Sequence, residues 1–335
     1  MSLEQKNIPM KKYTLRRPTW DDFQAIYEVI NASRFNVTGV HETTEEEVRS
    51  RLSAPHLTLA TESWVVESPE GQVVAFQVVE QIEHARLFVN GDVHPDHLGQ
   101  GIGMLLLQAA EQWAQEQVQL AVPDLRVVLN TPVNKQNTRK QHLFERHAYQ
   151  PSRPFWRMGI ELTSAPVEPR WPEGIELRTL ADDHTPERLY AVYEADQEIF
   201  QDHWGYVRQP YEEWKHWAVR SDVFDASLWF LALAGDDIVG IGLCADEQEA
   251  GAWVHALGIK RSWRRRGLAQ VLLQYAFGEF YRRGRQRIFL NVDGKSLTGA
   301  TRVYERAGMH VVRETMHYEK ELRAGKELST QSLEL

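Results

Sequence analysis

Residues 257–269 read Leu-Gly-Ile-Lys-Arg-Ser-Trp-Arg-Arg-Arg-Gly-Leu-Ala, and the chain changes character on either side of them. The residues before them, from Ala252, have the composition of a strand, and the apolar residues after Gly267 recur at helical spacing. The sequence therefore predicts a strand, a tight basic turn and a helix. Such a turn directs backbone N–H groups and the positive end of the helix dipole at one place, which favours phosphate binding. Small residues at Gly267 and Ala269 let a phosphate approach the backbone closely.

The order of predicted elements in the second half repeats that of the first half. Each half has an opening strand, two helices, a set of strands ending in a glycine turn, a helix, a further strand and a last helix. Corresponding landmarks lie roughly 160 residues apart; they are Leu15 and Leu177, Gly101 and Gly267, and Phe144 and Tyr304. Agreement over a whole domain length predicts an internal duplication.

The spacing Arg264-x-x-Gly267-x-Ala269 resembles the acetyl-CoA pyrophosphate loop of the GNAT N-acetyltransferases, whose pattern is Gln/Arg-x-x-Gly-x-Gly/Ala. A strand over 287–292 and a helix beginning near Thr298 follow it. That helix carries Ala300 and Tyr304-Glu305-Arg306-Ala307-Gly308-Met309, which is similar to the family's Asn-x-x-Ala…Tyr-Glu-x-x-Gly-Phe segment. The family's asparagine is replaced here by Ser296.

The resemblance covers nearly the whole chain and implies an α/β (α+β) fold. The implied fold consists of two tandem GNAT-like domains, each a mixed, mostly antiparallel twisted sheet flanked by helices. We expect an N-terminal domain over 1–163, a proline-punctuated linker over 164–174, a C-terminal domain over 175–322 and a frayed polar tail over 323–335.

Three departures from the family pattern predict that the first half is degenerate and has a structural or substrate-shaping role. Leu98 replaces the first residue of the pyrophosphate motif, and Lys140 replaces the small residue that corresponds to Ala300. Phe144 stands where the second half has Tyr304, and phenylalanine cannot protonate a thiolate. Close backbone approach is retained at Gly99, Gln100, Gly101, Ile102 and Gly103, which form the candidate second coenzyme site.

The resemblance implies that the second half transfers an acetyl group from acetyl-CoA to a primary amine of a small molecule or peptide. Tyr304 is then the acid that protonates the departing thiolate. A backbone N–H between Leu257 and Ile259 stabilises the developing oxyanion. The expected coenzyme contacts are Leu257, Gly258, Ile259, Arg264, Arg265, Arg266, Gly267, Leu268, Ala269, Gln270, Asn291, Ser296, Ala300 and Tyr304.

The general base is less defined by the pattern. His255 lies near the expected reaction centre, and an unperturbed imidazole titrates close to neutrality. Asp246, Glu247 and a water relay are alternatives. The aromatic segment after the first helix of the second half has two interpretations. One is a substrate pocket that includes Asp202, His203 and Trp204, in which Asp202 holds a substrate ammonium; the other is a lid that packs on the sheet without a role in specificity.

Composition narrows the function classes. The 335 residues carry a formal net charge of −9, which disfavours nucleic acid and anionic lipid as partners despite the arginines of the basic turn. A single cysteine, Cys244, excludes a disulfide framework and a cysteine-based metal cluster. With neither a signal peptide nor a membrane span, we expect a cytoplasmic monomer whose tandem domains mimic a dimer.

Two alternatives stay open at this point. A degenerate first half followed by an intact second half is similar to the layout of mycothiol synthases, which acetylate a cysteinyl amino-sugar conjugate. Outside catalysis, the chain could be an acyl-CoA-binding sensor that retains the fold without turnover.

Overall fold

The computed structural model describes residues 13–41, 43–220, 222–247, 251–296 and 299–329. Within these ranges one mixed sheet of twelve strands runs through both halves of the chain. The strands of the first half are β1 (Thr14–Arg16), β2 (Ser63–Glu67), β3 (Val73–Ile82), β4 (Arg86–Val93), β5 (Val127–Asn134) and β6 (Gln150–Glu161). Its helices are α1 (Phe23–Thr38), α2 (Glu45–Leu52), α3 (Leu59–Glu62), α4 (Ile102–Gln117) and α5 (Thr138–Arg146).

The second half repeats this order, as the duplication predicts. Its strands are β7 (Glu176–Thr179), β8 (Trp229–Ala234), β9 (Asp237–Asp246), β10 (Ala252–Ile259), β11 (Arg287–Asp293) and β12 (His310–Arg323). Its helices are α6 (Pro186–Phe200), α7 (Tyr211–Ala218), α8 (Leu268–Arg282) and α9 (Ala300–Arg306). The expected helix start near Thr298 lies outside the described residues.

The last strand of each half pairs with the other half. The order across the sheet is β1-β2-β3-β4-β5-β12-β6-β11-β10-β9-β8-β7. Thus β12 lies against β5 of the first half, and β6 lies against β11 of the second half. The two exchanged strands also pair with each other at the centre. The expected mixed, mostly antiparallel sheets therefore form one continuous sheet.

The exchange extends into the hydrophobic cores. Met158 and Leu162 of the first half are buried in the cluster under α8 and α9. In return, Tyr318 and Leu328 of the second half are buried with the apolar face of α4. Because each core contains side chains from both halves, separating the halves would expose apolar surface on both sides.

Residues 324–329 differ from the expected frayed tail. The backbone of Lys326 exchanges hydrogen bonds with Asp124 and Arg126, at 2.7 Å each. Leu328 is only 2% exposed, and its carbonyl accepts a hydrogen bond from Arg86. The segment is therefore held against the first half, and a polar composition did not reveal the buried leucine.

The two faces of the central strands meet different helices. Because side chains alternate along a strand, Ile288, Leu290 and Val292 of β11 pack in the cluster under α8 and α9. The intervening side chains, among them Asn291, face the opposite side. None of the helices in the described ranges combines the length and apolarity needed to cross a bilayer.

Candidate active site

Strand β10 parts from its neighbour β11 at a β-bulge. Its pairing with β9 shifts register between Val254 and Ala256, so His255 is the extra residue. A bulge bends its strand, and β10 pairs with β11 only at Ala252 and Trp253. The rest of β10, up to Ile259, diverges from β11. A V-shaped gap therefore opens between the two strands, with peptide groups of β10 on one side.

The turn after β10 presents a set of backbone N–H groups at the start of α8. Among the described residues, the amides from Arg265 to Gln270 have no hydrogen-bond acceptor, since the first backbone bond here joins Val271 to Gly267. Gly267 has a φ of 81°, and a Cβ there would meet no atom within 4 Å. Six unpaired amides, with open space in front of Gly267, suit a bound diphosphate, because each amide can donate to an anionic oxygen.

The first half contains the same turn in almost the same conformation. Gly99 and Gly101 both have a φ of 80°, and Arg265 and Gly267 have values of 65° and 81°. The non-glycine residue Arg265 thus occupies the left-handed region, which disfavours side chains with a Cβ. The backbone of the predicted second coenzyme loop, Gly99 to Gly103, is therefore formed.

The side chain of Arg264 makes its hydrogen bonds to other residues of the protein. Its Nε donates to the carbonyl of Ile259 at 3.1 Å, and one terminal nitrogen donates to the carbonyl of Ile199 at 3.1 Å. The other terminal nitrogen donates to Asp202 at 2.5 Å. Arg264 thus links the end of β10 to the end of α6.

Asp202 has a different position from the one expected for an amine-binding carboxylate. One of its oxygens accepts from Arg264 and the other from Arg261. These hydrogen bonds hold the pKa of Asp202 below its usual value. Both oxygens are occupied by arginines of the glycine turn, so the geometry does not support contact with a substrate ammonium.

Trp204, which follows His203, lies at the junction of the two halves. The ring of Trp204 lies between the guanidinium groups of Arg86 and Arg153, at 4.9 and 4.8 Å. His203 packs edge-on against Phe200, and burial lowers its pKa. A cleft lies on the face of the central strands opposite α8, and neither residue lines it. The contacts of Trp204 therefore join the second half to the first half.

Tyr304 projects from α9 into the core under α8. It is 8% exposed, and burial raises its pKa to about 12. Its hydroxyl forms no hydrogen bond with any residue that the structure describes. The phenol therefore keeps its proton near neutral pH and has an unused donor. Ala300 begins the same helix directly after Gly299, and Ser296 precedes it in the turn that follows β11.

Nε2 of His255 lies 3.2 Å from a carboxylate oxygen of Glu247. Both residues line a cleft on the face of the central strands opposite α8, together with Asn291. Asn291, one of the predicted coenzyme contacts, thus lies on the face of the sheet opposite α8. The other candidate base, Asp246, is engaged with Arg285 at 2.8 Å.

Gly258, one of the predicted coenzyme contacts, has a packing reason to be glycine. A Cβ at this position would lie 2.2 Å from the side chain of Ile199, at the end of α6. This close approach fixes the distance between α6 and the splayed part of β10. Leu268 and Ala269, the first two residues of α8, pack their side chains in the core under this helix.

The equivalent gap in the first half is obstructed. Strand β4 pairs with β3 without a bulge, although it parts from β5 after Phe88. The ammonium of Lys140 donates to the carbonyl of Gly91 at 3.2 Å, which places this side chain across the gap between α5 and β4. Phe144 packs edge-on against Tyr149. The missing bulge is a difference between the halves that residue patterns did not reveal.

Both halves match models of one acetyltransferase family. Residues 60–151 match the acetyltransferase (GNAT) domain, and residues 189–309 match the acetyltransferase (GNAT) family. A mycothiol acetyltransferase from Thermobispora bispora is 28% identical over 223 residues, which are 64% of this chain and 70% of the relative.

Solved structures agree with these matches. A GCN5-related N-acetyltransferase from Sphaerobacter thermophilus is 36% identical, with a TM-score of 0.77 over 95% of this chain and 98% of that one. A tandem GNAT protein from the clavulanic acid biosynthesis pathway has the same fold, with a TM-score of 0.70 and 15% identity over 94% of this chain and 100% of its own. The chain therefore belongs to the GNAT family of acetyltransferases and carries two domains of that family in tandem.

Proposed function

We propose that this acetyltransferase transfers the acetyl group of acetyl-CoA to a primary amine, and that its C-terminal half is the catalytic half. The observation that carries the proposal is the bulge at His255, which separates β10 from β11 next to the unpaired amides of the α8 turn. An extended thioester can lie in such a gap while its diphosphate is held at the helix N-terminus. The first half lacks the bulge and has Lys140 across the corresponding gap.

The residues around the gap suit acyl transfer. Acetyl-CoA supplies an acyl group already activated as a thioester. Backbone N–H groups on the open side of β10, between Leu257 and Ile259, can stabilise an oxyanion at the carbonyl. Tyr304 holds a proton at its hydroxyl, because burial raises its pKa to about 12, so it can act as a donor to a leaving thiolate.

His255 is our candidate for the general base. As the amine attacks, it must lose a proton, and a neutral imidazole can accept one. The nearby Glu247 supports this role, since a carboxylate at 3.2 Å can orient the ring and stabilise its charged form. With Nε2 protonated towards Glu247, Nδ1 retains the lone pair. The position of both residues on the cleft supports access for an acceptor.

The proposal is tested by measuring thiol release from acetyl-CoA across a panel of amines, aminoglycosides, polyamines and peptide N-termini. We expect Tyr304→Phe to lower kcat by about 10²-fold, within the range for loss of a general acid, with unchanged affinity for coenzyme A by calorimetry. The matched control is Tyr275→Phe on α8, which leaves the gap intact.

The outcomes separate the functional classes. Absence of any heat on titration with acetyl-CoA would contradict the whole proposal. Binding without turnover of any amine, and without an effect of Tyr304→Phe, would identify an acyl-CoA sensor. Turnover that is abolished by changes in the first half, and not by Tyr304→Phe, would move catalysis to the other half.

A narrower candidate is mycothiol-synthase-like acetylation of a cysteinyl amino sugar. It is favoured by the 28% identity to a mycothiol acetyltransferase over 64% of this chain. A cysteinyl glucosamine conjugate and its seryl analogue, added to the panel, test it. Strong preference for the cysteinyl compound supports this candidate, whereas equal rates show that the thiol is not recognised.

A further inference from the structure

A cleft of about 590 Å³ lies on the open face of the central strands, between the two halves. Its floor contains residues of β6, β11 and β12, and its walls come from α1, the end of β4 and the start of β10. This face is opposite α8, because Met158 on β6 points to the α8 core while the adjacent Arg157 points into the cleft. The cleft is therefore separate from the turn that would hold the coenzyme diphosphate.

Two arginines lie side by side on the cleft floor. Arg157 of β6 and Arg313 of β12 are direct partners in the antiparallel register, and both line the cleft. Planar guanidinium groups bind carboxylate or phosphate oxygens in pairs, so two of them side by side present several donors to one anion.

A buried indole adds a second observation at the same place. The guanidinium of Arg157 lies 4.6 Å from the ring centroid of Trp253, which also lines the cleft. Trp253 is 6% exposed, and its Nε1–H has no acceptor among the described residues. Burying a donor without an acceptor is costly. An anionic group beside Arg157 offers such an acceptor.

The described lining of the cleft contains more basic than acidic side chains, in a chain that is acidic overall. Among the described residues that line it, five side chains are basic and three are acidic, whereas the whole chain has a net charge of −9. The basic residues are Arg34, Lys140, Arg157, Arg220 and Arg313. A local excess of one sign concentrates ligands of the opposite sign. Burial also lowers the pKas of Lys140 and His317 in this cleft, to about 4 for His317, so that imidazole is neutral and adds no charge.

We propose that the acceptor amine also carries an anionic group, a carboxylate or a phosphate, which Arg157 and Arg313 bind on the cleft floor. The ammonium end then lies towards Glu247 and His255, at the edge of the cleft formed by the second half. This inference rests on the proposed amine acetylation and assigns its substrate class. It also gives the first half a role, since Lys140 and Arg34 of that half line the cleft.

The test compares matched amines with the full-length protein and saturating acetyl-CoA. One arm pairs the dipeptide Phe-Gly with its C-terminal amide, and the other pairs glucosamine 6-phosphate with glucosamine. We expect kcat/KM to be about tenfold or more higher for the anionic member of at least one pair, because a charge-assisted hydrogen bond is lost in the neutral member. A preference in the first arm alone identifies a carboxylate, and in the second arm alone a phosphate.

The variant Arg313→Met should raise KM for the preferred anionic amine about tenfold or more, with KM for acetyl-CoA unchanged. Arg313→Lys, which retains the charge, should recover part of the loss. The control is Arg178→Met, at an exposed position on β7 far from the cleft floor in the sheet order. Circular dichroism and coenzyme titration show whether each variant is folded.

Equal or faster acetylation of both neutral amines by the wild type would overturn the inference and leave amine acetylation standing. An equal loss of kcat/KM in Arg313→Met for the anionic and the neutral member of a pair would also overturn it. If acetyl-CoA binds but no panel member is acetylated, binding of glucosamine 6-phosphate and Phe-Gly is measured instead, by titration of the tryptophan fluorescence of the wild type and of Arg313→Met. Equal or absent binding by wild type and Arg313→Met in that titration would also overturn it.

Discussion

The carboxylate of Asp202 accepts a hydrogen bond at 2.5 Å from Arg264, the first residue of the glycine-turn motif. Arg264 in turn bonds to the carbonyls of Ile199 and Ile259. The segment that follows α6 is thereby linked to the turn that begins α8. The first half has Leu98 at the position of Arg264, and leucine cannot form such a link.

This link predicts that Asp202→Asn weakens coenzyme binding. Loss of the charge releases Arg261 and Arg264, so the amides of the turn become less ordered. We expect KM for acetyl-CoA to rise about tenfold, in line with a lost charge-assisted hydrogen bond, with little change in KM for the amine. Glu194→Gln, which removes an ion pair with Arg208 on the outer side of α6, is the control. A rise confined to KM for the amine would instead restore Asp202 as a substrate residue.

Gly267→Ala should reduce both stability and coenzyme affinity. Its φ of 81° disfavours a Cβ by about 1 kcal/mol, and the added methyl would occupy the open space in front of the unpaired amides. Gly284→Ala is a closely matched control, since Gly284 has a φ of 79°, has nothing within 4 Å of its added Cβ and lies after the end of α8.

Both variants should therefore lose similar stability in urea, and only Gly267→Ala should bind coenzyme A more weakly by calorimetry. An equal affinity in the two variants would show that the space above Gly267 is not used by the diphosphate.

Local backbone requirements explain which parts of the fold could be predicted. The positive φ of Gly101 and Gly267 is a property of the turn itself. A glycine followed within a few residues by helical periodicity therefore predicts this turn from local sequence alone. The repetition of that signal at a fixed distance also predicted the tandem layout. The strand exchange could not be predicted in this way, because an alternating pattern does not specify which neighbour a strand takes. The pattern thus predicts that Met158 is buried, but not that it is buried in the core of the second half.

Side-chain roles were harder to predict for the same reason. Asp202 lies in an aromatic segment that suggests a pocket, yet its partners Arg261 and Arg264 are about 60 residues away. A comparison of the halves contained part of the missing signal, since the first half has Leu98 at the position of Arg264.

Lys140→Ala should open a second coenzyme site in the first half. The turn at Gly99 and Gly101 already has the conformation of the turn at Gly267, and the Lys140 ammonium bonds to Gly91 across the gap. We expect calorimetry with coenzyme A to give one site per chain in the wild type and two in the variant. Lys135→Ala, which removes an exposed ion pair with Glu314, is the control and should bind one coenzyme A per chain.

Two sites in the wild type would show that Lys140 does not block the gap. One site in Lys140→Ala would indicate that the unbulged strand β4 is itself the barrier. Because Phe144 remains in the variant, the second site should bind without adding turnover.

Asp196 on α6 should make stability depend on pH. Burial raises its pKa from 3.8 to about 6, although it accepts hydrogen bonds from Trp214 and Gln197. The folded protein then holds this proton more tightly than the unfolded chain, so the stability contributed by this carboxyl falls as pH rises from about 4 to about 6 and is constant above that. Asp196→Asn keeps an acceptor for Trp214 without the buried charge. Its free energy of unfolding should exceed that of the wild type by up to about 3 kcal/mol at pH 8 and by little at pH 4.

Urea unfolding at pH 4, 6 and 8 measures this difference. Asp236→Asn, the same change of charge at an exposed turn residue, is the control and should give a small difference at every pH. Because the raised pKa comes from burial of the carboxylate, the gain in Asp196→Asn must grow between pH 4 and 6 and then level off. A gain that is independent of pH would mean that the asparagine stabilises α6 through its hydrogen bonds and that the charge of Asp196 is not the cause.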